Sequence, residues 1–251
     1  MTRRTFLAAA SSLALTACTA GRRGVATGTS TTGTAGTPGS PPPASPPGPA
    51  GLRPARFVAR GSPNGVAFTF HGSGDPALLH ALLGAAARAG APITVFAVGS
   101  WLDQYPDVAR AILAGGHELA NHTYTHPALG TVGRAAVAGE ITRCRDALTR
   151  HAGSPGAWFR PSGIDVPTPL MLDEAARAGY ATVVGYDVDP RDYEDPPSAA
   201  VLERVTSGLH PGAIVSLHTG HTNTVDAFEA MVGAARHRNL TPRLVRDLVA
   251  P

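Results

Sequence analysis

From about Arg56 onward, short apolar runs rich in β-branched residues alternate with longer amphipathic stretches, and this alternation limits the folds open to the 251-residue chain more than any other feature. The apolar runs are Gly65 to Phe70, Pro92 to Val98, His117 to Asn121, Ala157 to Phe159, Tyr180 to Gly185, Ala213 to Leu217 and, more weakly, Leu240 to Val245. Helical patterns between them cover Pro76 to Arg88, Pro106 to Ala114, Thr131 to His151, Pro169 to Ala178, Ser198 to Leu209 and Thr224 to Arg238. Strands that read as continuous apolar runs are buried on both faces, which is the condition of a parallel sheet covered by helices. The expected class is therefore α/β. Six or seven such units between residues 56 and 251 suit a parallel-strand, barrel-like (β/α)7 domain, one unit short of the closed eight-unit form. An open doubly wound sheet is the other arrangement.

On this layout the polar residues fall at one place. His71 follows the first run, His122 and His126 the third, Arg160 the fourth, Asp187, Asp189 and Asp192 the fifth, and His218 the sixth. In parallel β/α folds the carboxyl ends of the strands share one face, where active sites are built. Five strands thus send titratable groups to one region, whereas His80, His151 and His237 on helices and His210 in a turn are assigned to the surface. Within Asn121-His122-Thr123-Tyr124-Thr125-His126-Pro127, two imidazoles four apart converge if the segment makes a helical turn, and neutral imidazole suits Zn, Co or Ni.

Charge excludes one class of partner. All 21 basic residues are Arg, and residues 1–74 hold seven of them with no acid, so the remainder carries 14 Arg against 18 acids. A nucleic-acid binder gathers its positive charge on the folded domain; here it sits on the leader, and no nucleic-acid partner is expected. Arg3-Arg4-Thr5-Phe6-Leu7 resembles the twin-arginine export pattern, and the apolar run Phe6 to Ala17 that follows is too short to span a bilayer. Leu15-Thr16-Ala17-Cys18 resembles the bacterial lipobox. Residues 1–18 are accordingly expected to be a lipoprotein signal ending at a lipidated Cys18, which would anchor the chain on the outer face of a cytoplasmic membrane. From Thr19 to Ala50, 29 of 32 residues are Gly, Pro, Ser, Thr or Ala, so residues 19–55 are expected to be a disordered stalk. Cys144 is the one other cysteine, expected on a helix with no disulfide.

Together these segments resemble the polysaccharide deacetylases, the NodB-homology carbohydrate esterases, from about Gly65 to His221. His122-Thr123-Tyr124-Thr125-His126 matches the family's H-[ST]-x-x-H metal-binding motif. Ala213 to His218 resembles the last motif, which makes His218 the general acid, with Ser216 in place of the usual Leu. Asp189-Pro190-Arg191-Asp192-Tyr193 resembles D-x-x-D-W, in which Asp192 orients the acid histidine. Phe159 to Gly163 resembles R-x-P-Y-G, which makes Arg160 the partner of the catalytic base.

The first motif is degenerate. The family's T-F-D-D-G-P, with one Asp as base and the next as metal ligand, reads Thr69-Phe70-His71-Gly72-Ser73-Gly74-Asp75-Pro76 here. The resemblance leaves three outcomes: His71 becomes the third metal ligand, His71 stays the base beside a two-ligand metal, or the metal is lost and the domain is a binding relic. A variation has the pliable loop Gly72 to Gly74 return the Asp75 carboxylate to the metal, although Asp75 stands as an N-cap before Pro76. The implied activity is metal-dependent removal of acetyl groups from an N-acetylated or O-acetylated polysaccharide of the cell envelope, such as peptidoglycan or a chitooligosaccharide, with Zn as the first candidate. The alternative is a catalytically impaired, glycan-binding lipoprotein. Trp101, Tyr124, Trp158, Tyr186 and Tyr193 are the aromatic candidates for stacking on sugar rings.

Overall fold

The computed structural model describes residues 52–63 and 65–249; the expected leader, Cys18 and the stalk up to residue 51 lie outside the described residues. In chain order the elements are β1 (Arg56–Val58), β2 (Ala67–Gly72), α1 (Pro76–Ala89), β3 (Thr94–Ala97), α2 (Gly99–Gln104), α3 (Pro106–Ala114), β4 (Glu118–Asn121), α4 (Arg134–Ala152), β5 (Trp158–Phe159), α5 (Pro169–Arg177), β6 (Thr182–Val184), α6 (Ser198–Gly208), β7 (Ile214–His218), α7 (Thr222–His237) and α8 (Val245–Leu248). Short 3-10 turns occupy Leu129–Thr131 and Asp192–Glu194. The seven strands run in the order β1-β6-β5-β4-β3-β2-β7, and every pairing is parallel. The result is the α/β, barrel-like sheet expected from the alternation, curled but left open between the edges β1 and β7.

Strand β2 illustrates why the fold forms. Phe68 and Phe70 point outward and meet the Phe228 ring of α7 edge-on, with centroids 5.5 and 5.6 Å apart. All three rings are fully buried, and each contributes roughly 1.5–3 kcal/mol by leaving water. The alternate residues Thr69 and His71 face the other side of the sheet, so a period of two separates the packing face from the chemical face. Helix α1 begins where Asp75 accepts a hydrogen bond from the Ala77 N–H at 2.8 Å with Pro76 at the first position, and ends at Gly90 in the left-handed region (φ 56°).

Two expectations need correction at the margins. The segment Leu240 to Val245 is not a strand: Pro242 makes one isolated bridge to Val66, and Val245 opens the short α8. A proline has no N–H to extend a ladder, and the Thr94 hydroxyl takes the Val245 N–H instead, at 3.1 Å. Conversely, Arg56–Val58 forms the edge strand β1 against β6, and Gly99–Gln104 forms α2. Cys144 is a free, fully buried thiol that donates to the Ala97 carbonyl; burial pushes its pKa up to about 12.

Candidate active site

The register of the sheet brings two histidines together. Strands β2 and β7 are parallel neighbours with Thr69 opposite Ser216 and His71 opposite His218. Side chains opposite one another on one face of a sheet touch, and His71 Nδ1 lies 3.0 Å from His218 Nε2. On its far side His218 Nδ1 is 2.8 Å from Asp192 Oδ1, and the His218 backbone N–H donates to Asp192 Oδ2, also at 2.8 Å. Asp192 is fully buried, and the Thr224 hydroxyl donates to its Oδ2 at 2.5 Å. These bonds assign the tautomers. Asp192 holds the proton on His218 Nδ1, so neutral His218 accepts at Nε2. His71 must then donate from Nδ1, which leaves its Nε2 an acceptor, with the Ser216 hydroxyl 3.5 Å away.

The second cluster follows β4. The Asn121 carboxamide accepts the Thr123 N–H and holds the chain as it leaves the strand. Thr123 (φ 67°) and His126 (φ 60°) then adopt left-handed backbone, a conformation rare outside glycine. The turn sets the His122 and His126 rings 4.9 Å apart, edge to face. His122 Nδ1 donates to the Arg160 carbonyl at 2.9 Å, and its Nε2 is buried with no partner. A fully buried acceptor left bare is costly in protein interiors. A ring whose one nitrogen donates to a carbonyl while the other presents a lone pair is the arrangement of a metal-ligating histidine. His122 and His126 therefore fit two ligands of a divalent cation. His71 does not join them: its ring lies over His122 at 4.3 Å with only 33° between planes, so faces meet rather than nitrogens. Among the described residues no three His, Cys, Asp or Glu side chains are grouped to hold a metal, and the three-histidine arrangement is not formed.

The other first-motif residues are occupied elsewhere. Asp75 is the exposed cap of α1, not a ligand. A Cβ added at Gly72 would lie 2.7 Å from Val95 Cγ1 and 3.1 Å from Ala97 Cα, so this position has closed over where a ligand would begin. Arg160, 1% exposed, donates to the Val184 and Gly185 carbonyls and to Thr69 Oγ1 and stacks on Phe96, in place of pairing with His71. Burial pulls its pKa down to about 9. Burial, followed by the fields of His122 and Arg160, holds His71 well below the ordinary histidine range. His122 is held low by burial and then by His126, and His126 chiefly by burial. The three imidazoles are thus neutral, the form needed by a ligand or a base.

His71, His126 and His218 open on a cleft of about 580 Å³ whose lining also includes Ser216, Tyr186 and Tyr193, with His122 and Arg160 buried behind it. Of the aromatic candidates, Tyr186 and Tyr193 line the cleft, whereas Trp101 and Trp158 are core residues and Tyr124 packs under Arg143. Asp189 lines the cleft, but Asp187 ties Arg60 and the Ile214 N–H and belongs to the scaffold. Sequence reasoning overlooked Thr224, which anchors Asp192 from the first turn of α7, and Glu140, whose carboxylate reaches the loop between His122 and His126. Neither lies in a motif; only the fold makes them neighbours.

Comparison with known proteins bears on the family and the fold. A family model described as polysaccharide deacetylase matches residues 59–183. A chitooligosaccharide deacetylase of Sinorhizobium fredii is 33% identical over 178 residues, which cover 67% of this chain and 78% of that protein. Among solved structures, a family 4 carbohydrate esterase from Streptomyces lividans in complex with acetate matches with a TM-score of 0.68 at 27% identity, over 77% of this chain and 100% of that one. A mutant of a family 4 pseudoenzyme from Bacillus anthracis, with restored enzymatic activity, matches with a TM-score of 0.72 at 25% identity, over 78% and 72% of the two chains. By motifs, fold and kinship together, this chain belongs to the polysaccharide deacetylase family.

Proposed function

We propose that the chain is a hydrolase that removes acetyl groups from an N-acetylated or O-acetylated envelope glycan, with a divalent cation on His122 and His126 and with His71 and His218 acting as one acid–base pair. One observation carries this reading. The hydrogen-bonded series Thr224, Asp192, His218, His71 reaches the cleft at His71, whose Nε2 meets only the Ser216 hydroxyl and whose ring lies over that of His122, where Nε2 is buried without a partner.

Zn, Co or Ni suits two neutral imidazoles, and such an ion supplies polarisation of the acetyl carbonyl and a more acidic water. The residues supply the proton movements. His71 Nε2 takes a proton from the attacking water while its Nδ1 proton passes to His218 Nε2, and the Asp192 carboxylate balances the imidazolium. As the tetrahedral adduct collapses, the C–N bond breaks with its electron pair on nitrogen, and His218 Nε2 gives its proton to the leaving amine. Acetate and a free amino sugar result, and His71 regains its first tautomer by exchange with water in the cleft. Tyr186 and Tyr193 supply ring faces for the sugar.

Acetate release from N-acetylchitooligosaccharides and from peptidoglycan, with Zn, Co or Ni added to the full chain and to a His218→Ala control, tests the proposal. Equal release from both proteins would reject it. The second reading, glycan binding without turnover, draws on the missing third ligand and on the likeness to a family 4 pseudoenzyme; saturable glycan binding with no acetate released under any of the three metals selects it. We further propose export and anchoring through Cys18, as the leader pattern suggests. Cys18→Ala would then release the protein from the membrane fraction, and retention there would contradict the anchor.

A further inference from the structure

The loop between the two ligand histidines is held by a residue outside every motif. Glu140 lies on α4, 9% exposed, and its carboxylate turns toward this loop. Its Oε2 accepts the backbone N–H groups of Tyr124 and Thr125, at 2.8 and 2.7 Å, and its Oε1 accepts the Thr125 hydroxyl at 2.8 Å. Two consecutive backbone donors are thereby satisfied by one side chain, as a capping residue satisfies the first turn of a helix. The neighbouring Arg143, three residues on and so on the same helix face, lies over the Tyr124 ring at 3.7 Å. From the other side the backbone N–H groups of Gly99 and Ser100 donate to the Thr123 and Tyr124 carbonyls. The segment so clamped begins at Thr123 and ends one residue before His126, the two left-handed non-glycine residues of the turn. Such backbone persists only where its surroundings over-determine it.

Resting on the cation site proposed above, we propose that Glu140 is a positioning residue: it fixes the 122–126 turn so that His126 stands beside His122 as its co-ligand. Its action is geometric, exerted through the Tyr124 and Thr125 amides and not through contact with cation or substrate. Groups that orient ligands in this way alter metal affinity by about 10–100-fold when removed.

The test uses the full chain in four forms: wild type, Glu140→Ala, Glu140→Gln and Glu174→Ala. Glu174 is a similarly buried acid on α5, paired with Arg134 at the start of α4 and outside the site, so its loss controls for lowered stability alone. Amide hydrogen exchange of Tyr124 and Thr125 reports on the clamp without any metal, and Co2+ titration followed by visible absorption reports on the ligand pair. Glu140→Ala should speed exchange at both amides and weaken Co2+ affinity by about tenfold or more. Glu140→Gln, which keeps an acceptor for the amides and a donor for the Thr125 oxygen, should recover most of both losses, and Glu174→Ala should leave both near wild type. Unchanged exchange in Glu140→Ala, or unchanged Co2+ affinity beside faster exchange, overturns the proposal. Absence of Co2+ binding by the wild type sinks the cation reading itself and with it the co-ligand role, a result separable from a Glu140 effect by the exchange data.

Discussion

The two ends of the same strands treat buried polar groups in opposite ways. At the amino ends, Glu118 accepts from the Thr94 hydroxyl, the Trp158 indole and the Arg246 amide, and the His117 Nδ1 accepts the Ile93 N–H. With Thr94 Oγ1 also taking the Val245 N–H, this network ties α8 under the sheet. At the carboxyl ends the His122 Nε2 has no partner, Arg160 finds carbonyls and a hydroxyl, and His71 Nε2 faces the cleft with the Ser216 hydroxyl at 3.5 Å. Burial of a histidine or an acid therefore says little about function by itself. Between these two ends, what marks the carboxyl side is the buried His122 Nε2, which has no partner.

The contrast can be broken first at His218, the proposed acid. His218→Ala should lower acetate release by about 10²–10⁴-fold, while Asp192 keeps the residue 218 backbone N–H and the Thr224 hydroxyl as donors and loses its bond to the ring. At the opposite end, Glu118→Ala should leave the activity of the folded protein unchanged while orphaning buried donors, at about 1–3 kcal/mol. Calorimetry and acetate assays on the two variants would undo the distinction if Glu118→Ala abolished turnover in folded protein. Gly72→Asp is expected to be no repair of the first motif: its Cβ would press on Val95 and Ala97. Overpacking of this kind costs about 1–3 kcal/mol, and a gain in Co2+ affinity by that variant would show that a ligand position had survived there.

The smallest expected effect is in pH. Burial lowers the pKa of His117 at one end and of His71 and His122 at the other. A base whose folded pKa lies below its unfolded value of about 6.5 leaves stability whole above that pH and withdraws it as pH falls toward the folded value. The thermal midpoint should accordingly be level between about pH 7 and 8 and decline below 6.5. His117→Asn, which keeps an acceptor for the Ile93 amide, should remove a minor part of that decline, and the site histidines should retain the rest. A midpoint that stays level down to pH 5 would contradict this.

Much of the fold was legible because period-two and period-3.6 patterns are local, and six of the seven strands lie where apolar runs predicted them. The three-residue β1 escaped because an edge strand that short carries no pattern of its own. Leu240 to Val245 misled because its apolar residues serve α8 and a single bridge. At the site, the strand-end rule gathered His71, His122, Arg160, Asp192 and His218. The bond between His71 and His218 was not legible, for it depends on the register of strands 147 residues apart in sequence. The placing of Asp75 as a cap needed only Pro76 beside it.

The central claim is that His71 serves as a base joined to His218 while His122 and His126 hold the cation. Paired Co2+ titration and acetate release for His71→Ala and His122→Ala test it most directly. The account predicts that His122→Ala loses Co2+ binding and turnover together, whereas His71→Ala keeps Co2+ affinity within a few-fold and loses turnover alone. Loss of Co2+ binding in His71→Ala as complete as in His122→Ala would make His71 a ligand and contradict the account.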